Sequence, residues 1–192
     1  MKAVTWIVVG ILVLVYLLVM FHGGQYWNSN IDAIDYPMRA FYHANVYHLL
    51  GNVVSFIALS FMEEAMGWMN YIFCIIFIWI VSSYILLFYH LIFPSRKVYT
   101  VGFSGVIFGL IVVYFSLIGK GSSITYLGLL ISIIPQIFTI GISWEGHIAG
   151  IIAGLLFILL FPVKSKMIPN KGKASMDNMI NRIMQGLAPE QH

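Results

Sequence analysis

Six apolar runs constrain this chain more than any other feature: Ala3 to Phe21, Ala44 to Met62, Ala65 to Phe93, Val98 to Gly119, Ser122 to Ser143 and Gly146 to Pro162. A helix crossing the hydrocarbon core of a bilayer needs about 20 residues, with a range of roughly 17 to 25. Lipid offers no partner to backbone N–H and C=O groups, so each run must satisfy them internally, as a helix does. The runs therefore predict an all-α, polytopic membrane protein with six transmembrane helices, the third long enough to include an interfacial turn. At 60% hydrophobic and 9% charged residues, with a mean hydropathy of +0.92, the chain is too apolar for a water-soluble domain of its length. The first run is longer than the apolar core of a signal peptide and is followed by no small-x-small cleavage site, so it reads as a retained signal anchor. The single cysteine, Cys74, lies within the third run and reads as an inert packing group.

Six spans put both termini on one side, and the basic residues choose which. Lys2, Lys120, Lys164, Lys166, Lys171, Lys173 and Arg182 fall on the side of the termini, against Arg39, Arg96 and Lys97 on the other. The excess predicts cytoplasmic termini, with Arg96 and Lys97 dissenting locally, and the expected location is the plasma membrane. No internal repeat is visible, so residues 1–163 form one membrane domain and residues 164–192 a basic cytoplasmic tail. In the tail, Met176, Met179, Ile180, Ile183, Met184 and Leu187 follow helical spacing, compatible with a short amphipathic surface helix or with a solvated tail.

With this topology the second, fourth and sixth spans all start at the non-cytoplasmic side, and each carries its polar residues near that start. The second has His43, His48 and Asn52 in "YHANVYHLLGN", the fourth Ser104 in "VGFSGVIFGL", the sixth His147 in "EGHIAGIIAG". At ~1.5 Å per residue, Ser104, about six residues into its run, is expected on the order of 10 Å below the outer boundary. A lone serine in such a helix usually hydrogen-bonds a carbonyl one turn back, and a lone histidine can act as interhelical glue. Three such sites at one depth on three helices read more economically as a polar pocket opening to the outside.

Gly102, Gly105 and Gly109 leave room beside Ser104, and Gly146, Gly150 and Gly154 recur every four residues beside His147. Two small faces allow the fourth and sixth spans to pack closely. Imidazole then comes within reach of the hydroxyl, as a general base to a serine nucleophile. His48 and Asn52, spaced i and i+4, share a helix face and can both donate to a developing oxyanion beside the Ser104 N–H. No carboxylate stands ready as a third member, since Glu145 sits at the membrane edge two residues before His147; a dyad is expected. No H-E-x-x-H string is present, and no metal, cofactor or nucleic-acid partner is expected.

"HANVYHLLGN", "GFSG" and "GHIAG", in that order on the second, fourth and sixth of six spans, resemble the motif set of the rhomboid intramembrane serine proteases. The resemblance covers the six spans and leaves out the tail. It implies a Ser104 and His147 dyad, an oxyanion site of His48, Asn52 and the Ser104 amide, His43 as a polar support, and Phe108 packed on the histidine ring. It also implies membrane-protein substrates with one or several spans, cleaved where helix-destabilising residues expose an extended segment. The Glu63 and Gly67 spacing in "EEAMG" resembles the family's cytoplasmic loop. Two departures stand out: the first loop, residues 22–42, lacks the Trp-Arg pair of many members, and Phe103 is bulkier than the residue often found there, which would narrow the pocket. Pro135 in "IIPQIF" is either a tolerated membrane proline or a kink loosening the fifth span as a gate. A non-catalytic relative that binds membrane clients is the alternative reading; such proteins usually lose the serine or histidine, and both are kept here.

Overall fold

The computed structural model describes residues 2–94, 99–118, 123–137 and 143–161. Arg96, Lys97, Lys120 and the whole tail, with its suggested amphipathic helix, lie outside the described residues. The described elements are helices only: α1 (Ala3–Phe21), α2 (Asp32–Arg39), α3 (Val46–Ala58), α4 (Phe61–Met66), α5 (Trp68–Ile92), α6 (Ser104–Leu117), α7 (Ser123–Ile131), α8 (Ile134–Ile137) and α9 (Trp144–Leu160). By length and composition, α1, the continuous pair α3–α4 and α5 can each cross a membrane. The other apolar helices, α6, α7–α8 and α9, are shorter. Among the described residues three helices are therefore long and apolar enough to cross a membrane, not the six that the apolar runs predict.

α6 is the hub of the fold. None of its residues is exposed, and Val106, Ile107, Leu110, Val112, Val113 and Leu117 are buried around its circumference. A helix apolar on every side is one surrounded by others. By contrast α1 turns Trp6, Ile7, Leu14, Leu17 and Leu18 outward, as a helix with lipid on one face should. The core joins Leu12 of α1, Phe56 of α3, Tyr71 and Ile78 of α5, Val106 and Leu110 of α6 and Phe157 of α9. Phe103 belongs to it too, set edge-on to Phe56 with centroids 5.4 Å apart.

α6 and α9 meet backbone to backbone. A Cβ built on Gly105 would lie 2.9 Å from the Gly146 carbonyl oxygen, and one on Gly154 2.5 Å from that of Gly109. On Gly150 it would collide with the Gly105 carbonyl and lie 2.7 Å from the carbonyl carbon. The two small faces read from the sequence are thus in direct contact.

Two further features brace the bundle, one at each end. The first loop contains α2, a helix its polar sequence did not advertise. Arg39 and Asp35 are buried there as an ion pair, Nη2 to Oδ2 2.6 Å, with the guanidinium between the Tyr36 and Tyr99 rings at 4.1 and 4.3 Å. The loop that lacks a Trp-Arg pair is nonetheless anchored by an arginine. At the opposite end, the buried Glu63 carboxylate accepts from the N–H groups of Val4 (3.0 Å) and Thr5 (2.9 Å) and from the Thr5 hydroxyl (2.9 Å). These are donors that the first turn of α1 leaves without helical acceptors, and a carboxylate suits the positive end of the helix dipole. Gly67, at φ +83°, makes the turn from α4 into α5.

Gly150→Ala tests the α6–α9 contact directly. Backbone on the facing helix cannot move aside as a side-chain tip can, so the helices must separate, at a cost of about 1–3 kcal/mol or more. The expected result is a clearly lower thermal unfolding midpoint in detergent; an unchanged midpoint would mean the helices are not held at this distance.

Candidate active site

The serine is positioned by the start of a helix. Gly102 has φ +117°, outside the range of L residues, and the chain turns there so that α6 begins at Ser104 itself. Residues 99–101 are not helical, which corrects the expectation that Ser104 lies some six residues down a helix; a depth counted at helical rise does not apply. As the first residue of α6, Ser104 presents an N–H with no acceptor in the preceding turn. The loop before it is braced by α2, since the Gly102 N–H donates to the Arg39 carbonyl at 3.0 Å.

Across the glycine contact, α9 brings up the histidine. Ser143 caps α9 by accepting from the Gly146 N–H at 3.3 Å, and His147 follows in the first turn. Ser104 Oγ and His147 Nε2 are 2.8 Å apart, and both residues are half-buried. The Phe108 ring stacks on the imidazole, centroids 4.3 Å apart and planes 21° from parallel. Phe108 lies one turn beyond Ser104, so α6 supplies both the hydroxyl and the platform for the ring.

His147 Nδ1 has a partner as well, Gln136 Oε1 of α8 at 2.5 Å. The Gln136 amide nitrogen donates to the Ser132 carbonyl at 3.4 Å, which turns the amide oxygen toward the imidazole. Sequence reasoning sought a carboxylate and passed over this residue. The available signal was one amide side chain in an otherwise apolar run, beside the proline that drew attention instead.

On the third side stands α3. The Asn45 side chain caps it by accepting from the His48 N–H at 2.9 Å. His48 and Asn52 share a face, and the buried Asn52 amide donates to the His48 carbonyl at 3.0 Å, leaving its second N–H for another acceptor. Both approach the serine loop: a Cβ on Gly102 would lie 2.7 Å from His48 Nε2 and 3.6 Å from Asn52 Nδ2. Only glycine leaves that space free. His43 sits behind them, buried, its ring edge-on to His48 at 5.2 Å and its Nδ1 3.2 Å from the Phe41 carbonyl. Burial first, and then the neighbouring His48, hold the His43 pKa down at about 4 against an ordinary 6.5, with the Phe41 contact opposing them. His43 is neutral near neutral pH.

Ser104, His147, His48, Asn52 and Phe108 line one open cavity of about 1070 Å³, together with Tyr47, Tyr99, Ile111, Ile137 and Glu145. Glu145 faces the same space but no hydrogen bond joins it to His147 in the first-turn geometry, where Nδ1 is taken by Gln136. Phe103 does not line the cavity; it points into the core against Phe56 and Phe41, so it does not narrow the pocket as its bulk led us to expect. Gly105 and Gly150 act through the helix contact, not as lining. Among the described residues no group of three or more His, Cys, Asp or Glu side chains is arranged to hold a metal ion. A hydroxyl, an imidazole aligned on it, and amide and imidazole donors facing one cavity form a set able to perform nucleophilic acyl chemistry.

Comparison with known proteins agrees with this architecture. The Rhomboid domain family model matches residues 23–163. "Putative rhomboid protein L523" of Acanthamoeba polyphaga mimivirus is 53% identical over 180 residues, covering 94% of this chain and 98% of that protein. The uncharacterized protein Rv1337 of Mycobacterium tuberculosis is 28% identical over 127 residues, 59% of this chain and 53% of its own length, and Mb1372 of Mycobacterium bovis matches to the same degree. With a domain match over most of its length and a relative alike from end to end, this integral membrane protein belongs to the rhomboid family.

Proposed function

We propose that this chain is an intramembrane serine endopeptidase that cleaves membrane-protein substrates near the non-cytoplasmic face. The observation that carries the reading is the 2.8 Å approach of Ser104 Oγ to His147 Nε2, with Phe108 stacked on the ring. His147 takes the Ser104 proton as Oγ bonds to a substrate carbonyl carbon, and the carbonyl π electrons move onto oxygen. His48, Asn52 and the Ser104 N–H donate to that oxyanion. Collapse expels the amine, which takes the proton back from the imidazolium, and water then attacks the acyl-enzyme with His147 again as base. A helical substrate hides its carbonyls in internal hydrogen bonds, so the reactive segment is one whose residues disfavour helix.

In this reading residues 1–163 form a six-span membrane domain, α6, α7–α8 and α9 being its shorter spans, and residues 164–192 a cytoplasmic tail. Both termini face the cytoplasm, the membrane is the plasma membrane, and the partners are single-span or multi-span proteins within the bilayer. His43 serves as a neutral prop for His48, and the reaction needs no cofactor or metal.

Fluorophosphonate labelling of the detergent-solubilised protein tests the reading. We expect the unmutated chain to label and Ser104→Ala and His147→Ala neither to label nor to cleave a single-span reporter. Near-normal turnover in either variant would remove the dyad. An unlabelled, inactive unmutated protein that still captures membrane segments would instead leave a client-binding relative. For the oxyanion site, Asn52→Ala should lower the chemical rate by up to ~10²-fold with little change in KM; an unaltered rate would take Asn52 out of the site.

His43 yields a stability prediction. Its folded pKa lies near 4 and its unfolded value near 6.5, so as pH falls the unfolded chain binds the proton first. Its contribution to stability is whole above about pH 6.5 and is lost as pH falls toward about 4. His43→Gln should therefore show a shallower decline of the unfolding midpoint across this window than the unmutated protein; parallel curves would refute a buried neutral His43.

A further inference from the structure

We propose that Gln136 is a positioning residue for His147: by accepting a hydrogen bond from Nδ1–H it fixes the imidazole tautomer that leaves Nε2 free to receive the Ser104 proton. The proposal rests on the serine-protease reading for its consequence in catalysis, but its geometric part stands on contacts independent of that reading.

A neutral imidazole carries its single proton on either ring nitrogen, and only the Nδ1–H form has a lone pair at Nε2. Something must choose. Nε2 faces a hydroxyl, which can donate or accept and so imposes neither tautomer. Nδ1 faces Gln136 Oε1 at 2.5 Å, and an amide oxygen is an acceptor only. Its orientation is fixed from the other end, since the Gln136 nitrogen donates to the Ser132 carbonyl. A flipped amide could donate its NH2 to Nδ1 and would then select the other tautomer, but it would set its oxygen against the Ser132 carbonyl; the Ser132 contact is what selects the orientation. The chain Ser132 C=O, Gln136, His147, Ser104 thus has one consistent direction for its protons.

Gln136 also completes the orientation of the ring. Phe108 restrains the imidazole plane from one face but permits rotation within that plane, and the two in-plane contacts to Gln136 and Ser104 remove it. The effect resembles that of the carboxylate in a serine triad without its charge. A neutral acceptor aligns the base and stabilises the imidazolium less than an anion would. Unlike the two dyad residues, Gln136 stands on α8, outside the α6–α9 glycine contact. Base alignment therefore depends on α8 lying against α9.

The test uses the full chain in detergent. Gln136→Leu removes the acceptor at similar volume, and Gln136→Glu restores it with a charge. With Gln136→Leu we expect the rate of fluorophosphonate labelling and kcat to fall about tenfold or more, with KM little changed, since general-base efficiency and not substrate binding is lost. Gln136→Glu should recover most of the rate and move the acid limb of the pH-rate profile upward, because a carboxylate at Nδ1 favours the protonated ring. The titratable groups facing the same cavity are Tyr47, His48 and Tyr99 from the other elements and Glu145 on α9, and they are unchanged in every variant. An independent readout is the 15N NMR signature of His147, assigned by its loss in His147→Ala. It should report a single Nδ1–H tautomer in the unmutated protein and in Ser104→Ala, and a mixture in Gln136→Leu. A labelling rate and tautomer unaffected by Gln136→Leu would overturn the proposal, as would an acid limb that Gln136→Glu leaves in place. Absence of labelling in the unmutated protein, with the tautomer still lost in Gln136→Leu, would refute the serine mechanism while upholding the role of Gln136 toward His147.

Discussion

Everything at the candidate site depends on two helix backbones being allowed to touch. A methyl group on Gly105 or Gly109 of α6, or on Gly150 or Gly154 of α9, would run into backbone carbonyls of the facing helix. In lipid there is no hydrophobic drive to press helices together, so close van der Waals packing of small residues must do it. The contact sets more than stability. Ser104 opens α6 and His147 lies in the first turn of α9, so the separation of the two backbones is also the separation of hydroxyl and imidazole. A side chain interposed anywhere along the stripe would lengthen that distance without touching either residue.

The remaining elements brace this pair from different directions. α2 holds the loop before Ser104 through the Arg39 carbonyl, and it can do so because the Arg39 side chain is itself locked by Asp35 and by two tyrosine rings. A guanidinium sandwiched by aromatic faces and paired with a carboxylate tolerates burial where a lone charge would not. α3 presents His48 and Asn52 on one face, and the space they approach exists only because Gly102 has no side chain. α8 adds Gln136 from a fourth side.

Much of this was legible in the sequence, for identifiable reasons. Apolar run length reported the helices, and the four-residue glycine spacing reported the α6–α9 face, because both are direct consequences of helical geometry. The three polar groups could be placed together because ionisable residues in apolar runs are costly and are kept where they meet a partner. What escaped was conformation that depends on single dihedral angles or on tertiary partners. The helix start at Ser104 follows from the positive φ of Gly102, which an apolar run conceals. α2 was hidden because Asp32 to Arg39 carries three charges and an internal proline, and its Asp35 and Arg39 are buried only through pairing. Phe103 was placed by its size and not by its direction, which the turn at Gly102 sends into the core. Gln136 was missed because an amide was not sought where a carboxylate is customary.

The Glu63 contact has a bearing on how such a chain is made. The N–H groups that Glu63 accepts belong to Val4 and Thr5, 59 and 58 residues earlier in the sequence. In synthesis α1 is made before α4, so those donors can reach the carboxylate only once α4 has followed. The carboxylate then closes a loop containing α1 to α4, with α6 and α9 still to come. The glycine stripe would thus assemble against a half already tied off, and α9, the last of the described helices, is the one that delivers the imidazole.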